Sequence, residues 1–322
     1  MNQNVPSPQA FKQLDPRKFQ DPDVTAKGEP RAAVALKRLD TLWFNTGTLC
    51  NIECANCYIE SSPTNDRLVY LSAAEVASYL DEAARLNQRP QTVGFTGGEP
   101  FMNPEMAAIL EETLSRGHDA LVLTNAMKPM MRPRVQAAIA DLATRHGTKL
   151  VMRVSVDHWR EDLHDEERGR GSFAETLVGL RWLRDRNIPV AVAGRLRWGD
   201  KDEDMRAGYA ALFARENLKI DANDHAALVI FPEMDARIDV PEITTACWGI
   251  LNKSPGDVMC ASSRMIVKRK GMSVPAVVAC TLLPYEPQFE LGSKLADALA
   301  PVKLNHPHCA KFCVLGGGSC KA

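Results

Sequence analysis

The stretch Cys50-Asn51-Ile52-Glu53-Cys54-Ala55-Asn56-Cys57-Tyr58 sets three thiols within eight residues, spaced C-x3-C-x2-C. It follows the apolar run Leu42-Trp43-Phe44 and the polar Asn45-Thr46-Gly47-Thr48, the pattern of a strand running out into a loop. A loop this short can wrap one compact inorganic cube. Cubane iron–sulfur clusters are held by Cys thiolates, normally four. Three ligands therefore leave one iron with an open position, which points to reactivity rather than scaffolding. A zinc knuckle that borrows its fourth ligand elsewhere is the competing reading of the same spacing.

The rest of the composition bounds what such a loop can serve. A chain of 322 residues accommodates one large domain and a small one. Lys+Arg 39 against Asp+Glu 40 gives a net charge of -1, so the balance offers no pull on nucleic acid or an anionic membrane. No apolar run has the length of a membrane span, and Met1-Asn2-Gln3-Asn4-Val5-Pro6 lacks the apolar segment of a signal peptide. The cysteines number 9, an odd count, and cluster toward both ends. Metal binding in a reducing compartment explains them better than disulfides do, and a cytoplasmic location follows as the expectation.

Residues 1–37 carry scattered proline and charge. They read either as an extended arm over the surface that closes one mouth of the domain, or as a disordered leader. From Arg38 short apolar runs alternate with amphipathic segments. Strands are predicted at about 40–45, Thr92–Thr96, Ala120–Thr124, Leu150–Val156, Pro189–Ala193 and Ala226–Phe231. Helices are predicted from the Ser72–Glu75 capping box to Leu86, from Asn103-Pro104 to Gly117 and over Pro133–His146. Two more run from a Ser172–Glu175 capping box to Arg186 and over Glu203–Glu216. Six strands separated by helices imply a parallel sheet with right-handed crossovers, closing into a barrel of six βα units. Chemistry in such folds sits at the C-terminal ends of the strands. The cysteine loop, Gly97-Gly98-Glu99, Thr124-Asn125, and Ser155 with Asp157 all fall there, after strands one to four in turn. That convergence predicts one site.

After Pro232 the alternation stops and Cys247, Cys260, Cys280, Cys309, Cys313 and Cys320 appear. Met265-Ile266-Val267 and Val274–Ala279 read as a hairpin with a cysteine beside each outer end, and the Lys268-Arg269-Lys270 tip reads as solvated. His306 and His308 beside Cys309 read as loop residues or as ligands. The domain reading is an arm over 1–37, a core over 38–235 and a cysteine-rich region over 236–322.

The leading motif and those that follow it in order resemble the radical S-adenosylmethionine (SAM) superfamily. Thr96-Gly97-Gly98-Glu99-Pro100 is similar to its GGEP motif. Val154-Ser155-Val156-Asp157, then His164-Asp165, Arg168-Gly169 and Gly171-Ser172-Phe173, resemble the branch with extra C-terminal clusters, called SPASM or twitch. The resemblance implies an α/β fold, a partial (β/α)6 TIM-like barrel followed by a small cysteine-rich α+β auxiliary-cluster domain. It implies that Cys50, Cys54 and Cys57 ligate a [4Fe–4S] cluster whose fourth iron binds SAM, and that a 5′-deoxyadenosyl radical then takes a hydrogen atom from substrate. Cofactor contacts are implied for Tyr58, Gly97, Gly98, Glu99 (to the SAM ammonium), Thr124, Asn125, Ser155 (to ribose), Asp157 and Arg168 (to the SAM carboxylate).

By the same resemblance Cys260, Cys280, Cys309 and Cys313 would hold an auxiliary [4Fe–4S] cluster, with Cys320 able to replace either of the last two. Cys247 would be a plain buried thiol, and a structural zinc is the alternative occupant. The implied partners are a small-molecule or peptide substrate and an electron donor such as flavodoxin or ferredoxin, with neither nucleic acid nor membrane. The implied outcome is an oxidation or a bond formation. A non-catalytic iron–sulfur or zinc protein, carrying electrons or clusters, is the reading from a different class.

Overall fold

The computed structural model describes residues 12–316. Six parallel strands follow the predicted order: β1 (Thr41–Asn45), β2 (Thr92–Thr96), β3 (Asp119–Thr124), β4 (Leu150–Ser155), β5 (Val190–Leu196) and β6 (Leu228–Pro232). The helices are α1 (Ala73–Arg85), α2 (Met106–Ser115), α3 (Pro133–His146), α4 (Glu161–Arg168), α5 (Ser172–Asp185) and α6 (Asp202–Arg215). The sheet has a seventh parallel member. β7 (Ser263–Val267) lies beside β1, and β8 (Ala276–Val278) returns antiparallel to it, so the order is β6-β5-β4-β3-β2-β1-β7-β8. The hairpin is thus present as read, but it extends the barrel sheet itself. Every residue of β7 is buried, as a strand with neighbours on both sides requires.

Alternation along each strand divides the core in two. Leu42, Phe44, Val93, Phe95, Val122, Met152 and Val154 face the helices, and Phe44 stacks on Phe95 at 5.9 Å between ring centres. Trp43, Leu121, Met265 and Val267 face the other way and pack with the C-terminal segment. The described part of the N-terminal arm lies along that segment: Leu14 N–H donates to Arg237 O, Arg31 pairs with Glu242 at 2.6 Å, and Ala33–Val34 pairs antiparallel with Val302–Lys303.

Three local expectations change. The second helix starts at Met106 rather than at Asn103-Pro104, because Asn103 is buried and bridges loops, donating to Leu71 O at 2.8 Å while accepting from Glu105 N. The α5 capping box does not form: Ser172 is already helical, and the Asp165 carboxylate accepts from Phe173 N (2.9 Å) and Ser172 Oγ (3.0 Å) instead. The Lys268-Arg269-Lys270 tip is ion-paired rather than merely solvated, to Glu75, Glu290 and Asp66 respectively. Among the described residues no helix is long and apolar enough to cross a membrane.

Candidate active site

At the C-terminal ends of β1–β6 lies a cavity of about 1170 Å³, solvent at its mouth included, lined by Cys50, Cys54, Cys57, Gly97, Ser155 and Arg168 among others. Tyr58, Gly98, Thr124, Asn125 and Asp157 line it too. Of the residues expected around the first cluster and its cosubstrate, Glu99 alone is absent from the lining.

The glycine pair has a physical reason visible in the backbone. A Cβ on Gly97, which sits at φ +139, would come 2.4 Å from Gly47 O, and one on Gly98 would come 2.2 Å from Leu49 O. Both glycines let the β2 turn press against the segment that leads into Cys50, and Gly98 N–H donates to Gly47 O at 2.8 Å. Glu99 is buried inside this turn. Its oxygens accept from Thr124 Oγ1 (2.8 and 3.0 Å), Asn125 N (2.9 Å) and Phe101 N (3.2 Å), tying β2 to β3. Burial pushes its carboxyl up to about 7 against these donors. Asn125, fixed in this way, donates to Asn51 Oδ1 at 2.9 Å and lies 3.9 Å from Cys50 Sγ.

α4 supplies the other buttress. Arg168 grips Asp157 through two nitrogens of its guanidinium, at 2.6 and 3.2 Å; Asp157 is buried and Arg168 partly so. Burial works against the Asp157 charge, yet Arg168, with Arg195 behind it, holds the carboxyl below its ordinary value. His164 Nδ1 accepts from Asp157 N at 3.2 Å, and burial together with Arg168 lowers its pKa to about 4, so it is neutral. Glu167, one residue before Arg168, is wholly buried. It accepts from Asn56 N and Nδ2, both at 2.9 Å, and pairs with Arg195 (2.8 Å) and Arg197, while its carbonyl accepts from Ala55 N.

The charge-rich stretch 160–170 is helical over Glu161–Arg168. Its inner face holds the Ala55–Asn56 end of the cysteine loop, while Asn125 holds the Cys50–Asn51 end. Glu167, Arg195 and Asn56 escaped the sequence reading. The signal for Arg195, and for Arg153 on β4, was a charged residue inside an otherwise apolar strand.

The donor set fits a cluster. Burial pushes the Cys50 thiol up to about 12 and Cys54 up to about 11, so thiolates form there only beside a compensating cation, and metal binding supplies one. A second, small cavity is lined by Cys260, Cys280, Cys309 and Cys313 and is otherwise apolar. Burial raises Cys260 to about 11 and Cys309 well above the usual thiol range. The four thiols line this cavity together.

Cys247 stands apart, its sulfur accepting from Thr244 N at 3.3 Å, and Cys320 lies outside the described residues. His306 and His308 are not in the lining; their rings face one another at 4.7 Å. Residues close in sequence to the second cavity's thiols line the first cavity. Thr281 and Leu282, next to Cys280, and Phe312, next to Cys313, all line the larger one, where Phe312 stacks on Phe231 at 5.6 Å.

The comparisons with known proteins follow the same outline. The subtilosin biosynthesis protein AlbA of Bacillus subtilis (strain 168) is 33% identical over 146 residues, 45% of this chain and 30% of that protein. This chain thus spans less than a third of that relative's length. Streptococcus suis SuiB bound to S-adenosylmethionine superposes with a TM-score of 0.57 at 12% identity, covering 79% of this chain and 63% of SuiB. The anSMEcpe structure with AdoMet and the Kp18Cys peptide gives 0.57 at 13% identity, covering 82% and 83%. These two likenesses establish the partial-barrel α/β fold. The profile described as Radical SAM superfamily matches residues 44–205, half of the chain, from the end of β1 through the cysteine loop into α6. This protein belongs to the radical SAM superfamily.

Proposed function

We propose that this protein modifies a peptide by radical chemistry, using one cluster in the barrel and a second in the C-terminal segment. The cofactors of the superfamily are a [4Fe–4S] cluster and S-adenosylmethionine, which when bound supply a 5′-deoxyadenosyl radical able to take a hydrogen atom from an unactivated carbon. Cys50, Cys54 and Cys57 hold three irons of that cluster. Arg168, oriented by Asp157, offers its guanidinium to the SAM carboxylate, and Ser155 meets the ribose. Backbone of Gly97 and Gly98 faces the ammonium, with Thr124, Asn125 and Tyr58 along the same wall. Glu99 acts through Asn125 and Thr124 as a positioning residue. Cys260, Cys280, Cys309 and Cys313 hold the auxiliary [4Fe–4S] cluster, and the lining of the barrel cavity by Thr281, Leu282 and Phe312, close in sequence to Cys280 and Cys313, supports its use as a one-electron acceptor. The outcome is an oxidation or a new bond such as a thioether, with reducing electrons from a flavodoxin- or ferredoxin-type donor.

The observation that carries this reading is the gathering of the three loop thiols with Gly97, Ser155 and Arg168 around one cavity, beside a four-thiol cavity. Peptides are favoured over small metabolites because SuiB is described bound to a precursor peptide and anSMEcpe bound to peptide. The test is anaerobic reconstitution followed by dithionite and SAM. About eight irons per chain and release of 5′-deoxyadenosine are expected. A colourless protein with zinc at both ends, or no 5′-deoxyadenosine, overturns the proposal.

A further inference from the structure

Part of the active-site cavity is left unused by the chemistry above. Leu123, Phe231, Met234, Leu282 and Phe312 line it and pack with Trp43 as one apolar group. Trp43 forms its floor. It lies two residues before the end of β1, on the face opposite Leu42 and Phe44, and its neighbours in register are Gly94 on β2, then Leu121 on β3. Gly94 makes room for the indole. A Cβ there would collide with the ring at Cε3, Cζ3 and Cδ2, so the edge remote from the nitrogen rests on β2. Val151 continues the same layer on β4, and Ser155 lies four residues beyond it, about 13 Å higher.

The floor carries a polar atom with nothing to meet it. Trp43 is 1% exposed, and its indole N–H has no hydrogen-bond partner among the described residues. A buried donor is rarely left this way unless a ligand or an ordered water meets it. Asn45, Trp182 and Trp198 also leave a buried nitrogen unpartnered, yet none of them lines this cavity, and Trp43 does. Arg153 and Thr281 line the cavity as well, and each is already engaged. The pocket thus offers apolar walls and a neutral donor at the bottom.

We propose that this pocket receives a tyrosine side chain of the peptide substrate, its ring among Leu123, Phe231 and Phe312 and its phenolic oxygen accepting from the Trp43 indole N–H. This rests on the peptide reading above and narrows it. A phenylalanine or an aliphatic side chain fills the walls but leaves the donor unmet. A charged side chain loses its hydration against apolar walls, and a short polar one brings an acceptor with little surface for them. A phenol meets both demands, because it joins an apolar ring to an oxygen that accepts. Standing on that oxygen, the side chain turns its Cβ and Cα toward the level of Ser155 and the cofactor wall. Trp43 is a specificity-determining residue.

The probes are three pools of short peptides fixed at the centre as tyrosine, phenylalanine or alanine, with varied flanks that contain no aromatic residue. Each pool is incubated with the anaerobically reconstituted full chain and SAM, and bound members are read by mass spectrometry after rapid desalting. The tyrosine pool should be retained at least about tenfold over the phenylalanine pool, and the phenylalanine pool above the alanine pool. In Trp43→Phe, which keeps a ring over Gly94 but no donor, the tyrosine-to-phenylalanine ratio should fall to near one while the preference over alanine stays. The isostere 3-benzothienylalanine in place of Trp43 puts sulfur where the N–H was, keeps the packing, and should give the same result. Each ratio is internal to its sample, so a poorly folded chain loses all retention rather than the preference alone.

Equal retention of the tyrosine and phenylalanine pools by the unaltered chain, retention of none, or an undiminished ratio in either altered chain overturns the inference. So does a loss of SAM affinity in either altered chain as large as the loss of tyrosine preference, since that would assign the N–H to the cosubstrate. Release of 5′-deoxyadenosine is scored separately. A chain that releases it without any preference sinks this inference alone, and a chain with the preference but no release sinks the radical reading alone.

Discussion

The two thiol-lined cavities differ in almost everything except sulfur. The first draws three cysteines from one short loop into a wall of carboxylates, guanidiniums and glycine backbone. The second draws Cys260, Cys280, Cys309 and Cys313 from three separate segments into a wall that is otherwise apolar. A site with fewer sulfurs than a cube has irons, surrounded by polar groups, is arranged to admit an exchangeable polar ligand. A site with a full set of sulfurs in an apolar wall is arranged to hold its contents and keep water off them. Part of the polar apparatus of the first also serves mechanics: Glu167 and Asn125 brace the two ends of the cysteine loop.

That contrast can be broken most directly at the loop. Cys54→Ala should abolish SAM cleavage, with iron falling from about eight to about four per chain. Residual cleavage, or loss of all iron, would end the assignment of separate clusters. Cys280→Ala should also remove about half of the iron, yet depress product formation more than uncoupled SAM cleavage. Unchanged iron in that variant would leave the second cavity without a cluster.

Arg168→Gln strands a buried Asp157 and should cost about 3–5 kcal/mol in urea unfolding. Adding Asp157→Asn should recover much of that stability but not SAM affinity. If affinity returns with stability, Arg168 acts only through the fold.

The smallest effect concerns acid. His164 has a folded pKa of about 4 against an ordinary 6.5, so between these values the unfolded chain binds the extra proton. Its contribution is complete above pH 6.5 and is lost as pH falls toward 4, at most about 3 kcal/mol. Urea unfolding across that window should show the slope in the unaltered chain and a flatter one in His164→Gln. Equal slopes would place His164 outside the buttress.

Much of this is legible in the sequence. The six barrel strands come within a few residues of expectation, because buried parallel strands announce themselves as short apolar runs between capped helices. The positions of Cys50, Ser155 and Asp157 followed from knowing that they sit at strand ends. What was hidden has one cause: pairing between distant segments is invisible to local pattern. β7 reads as half of an isolated hairpin, and nothing near Ser263 announces that its partner is Thr41. Glu167 and Arg195 look solvated or accidental until α4 folds onto the cysteine loop. Asp165 outcompetes Ser172 as the α5 cap because the α4–α5 turn carries it there, a choice that spacing alone does not encode.

The seating of β7 against β1 also has a consequence for how the chain is made. Thr41 pairs with Ser263, so the strand that delivers the cysteine loop leaves the ribosome 222 residues ahead of one of its two neighbours. At about 5–20 residues per second, one edge of β1 stays bare for roughly 10–45 s of synthesis. An open strand edge is a template for wrong partners, and long-range pairing is slow to form. For that interval the loop thiols are borne on a half-finished sheet, which gives nascent-chain handling and metal delivery a shared window in time.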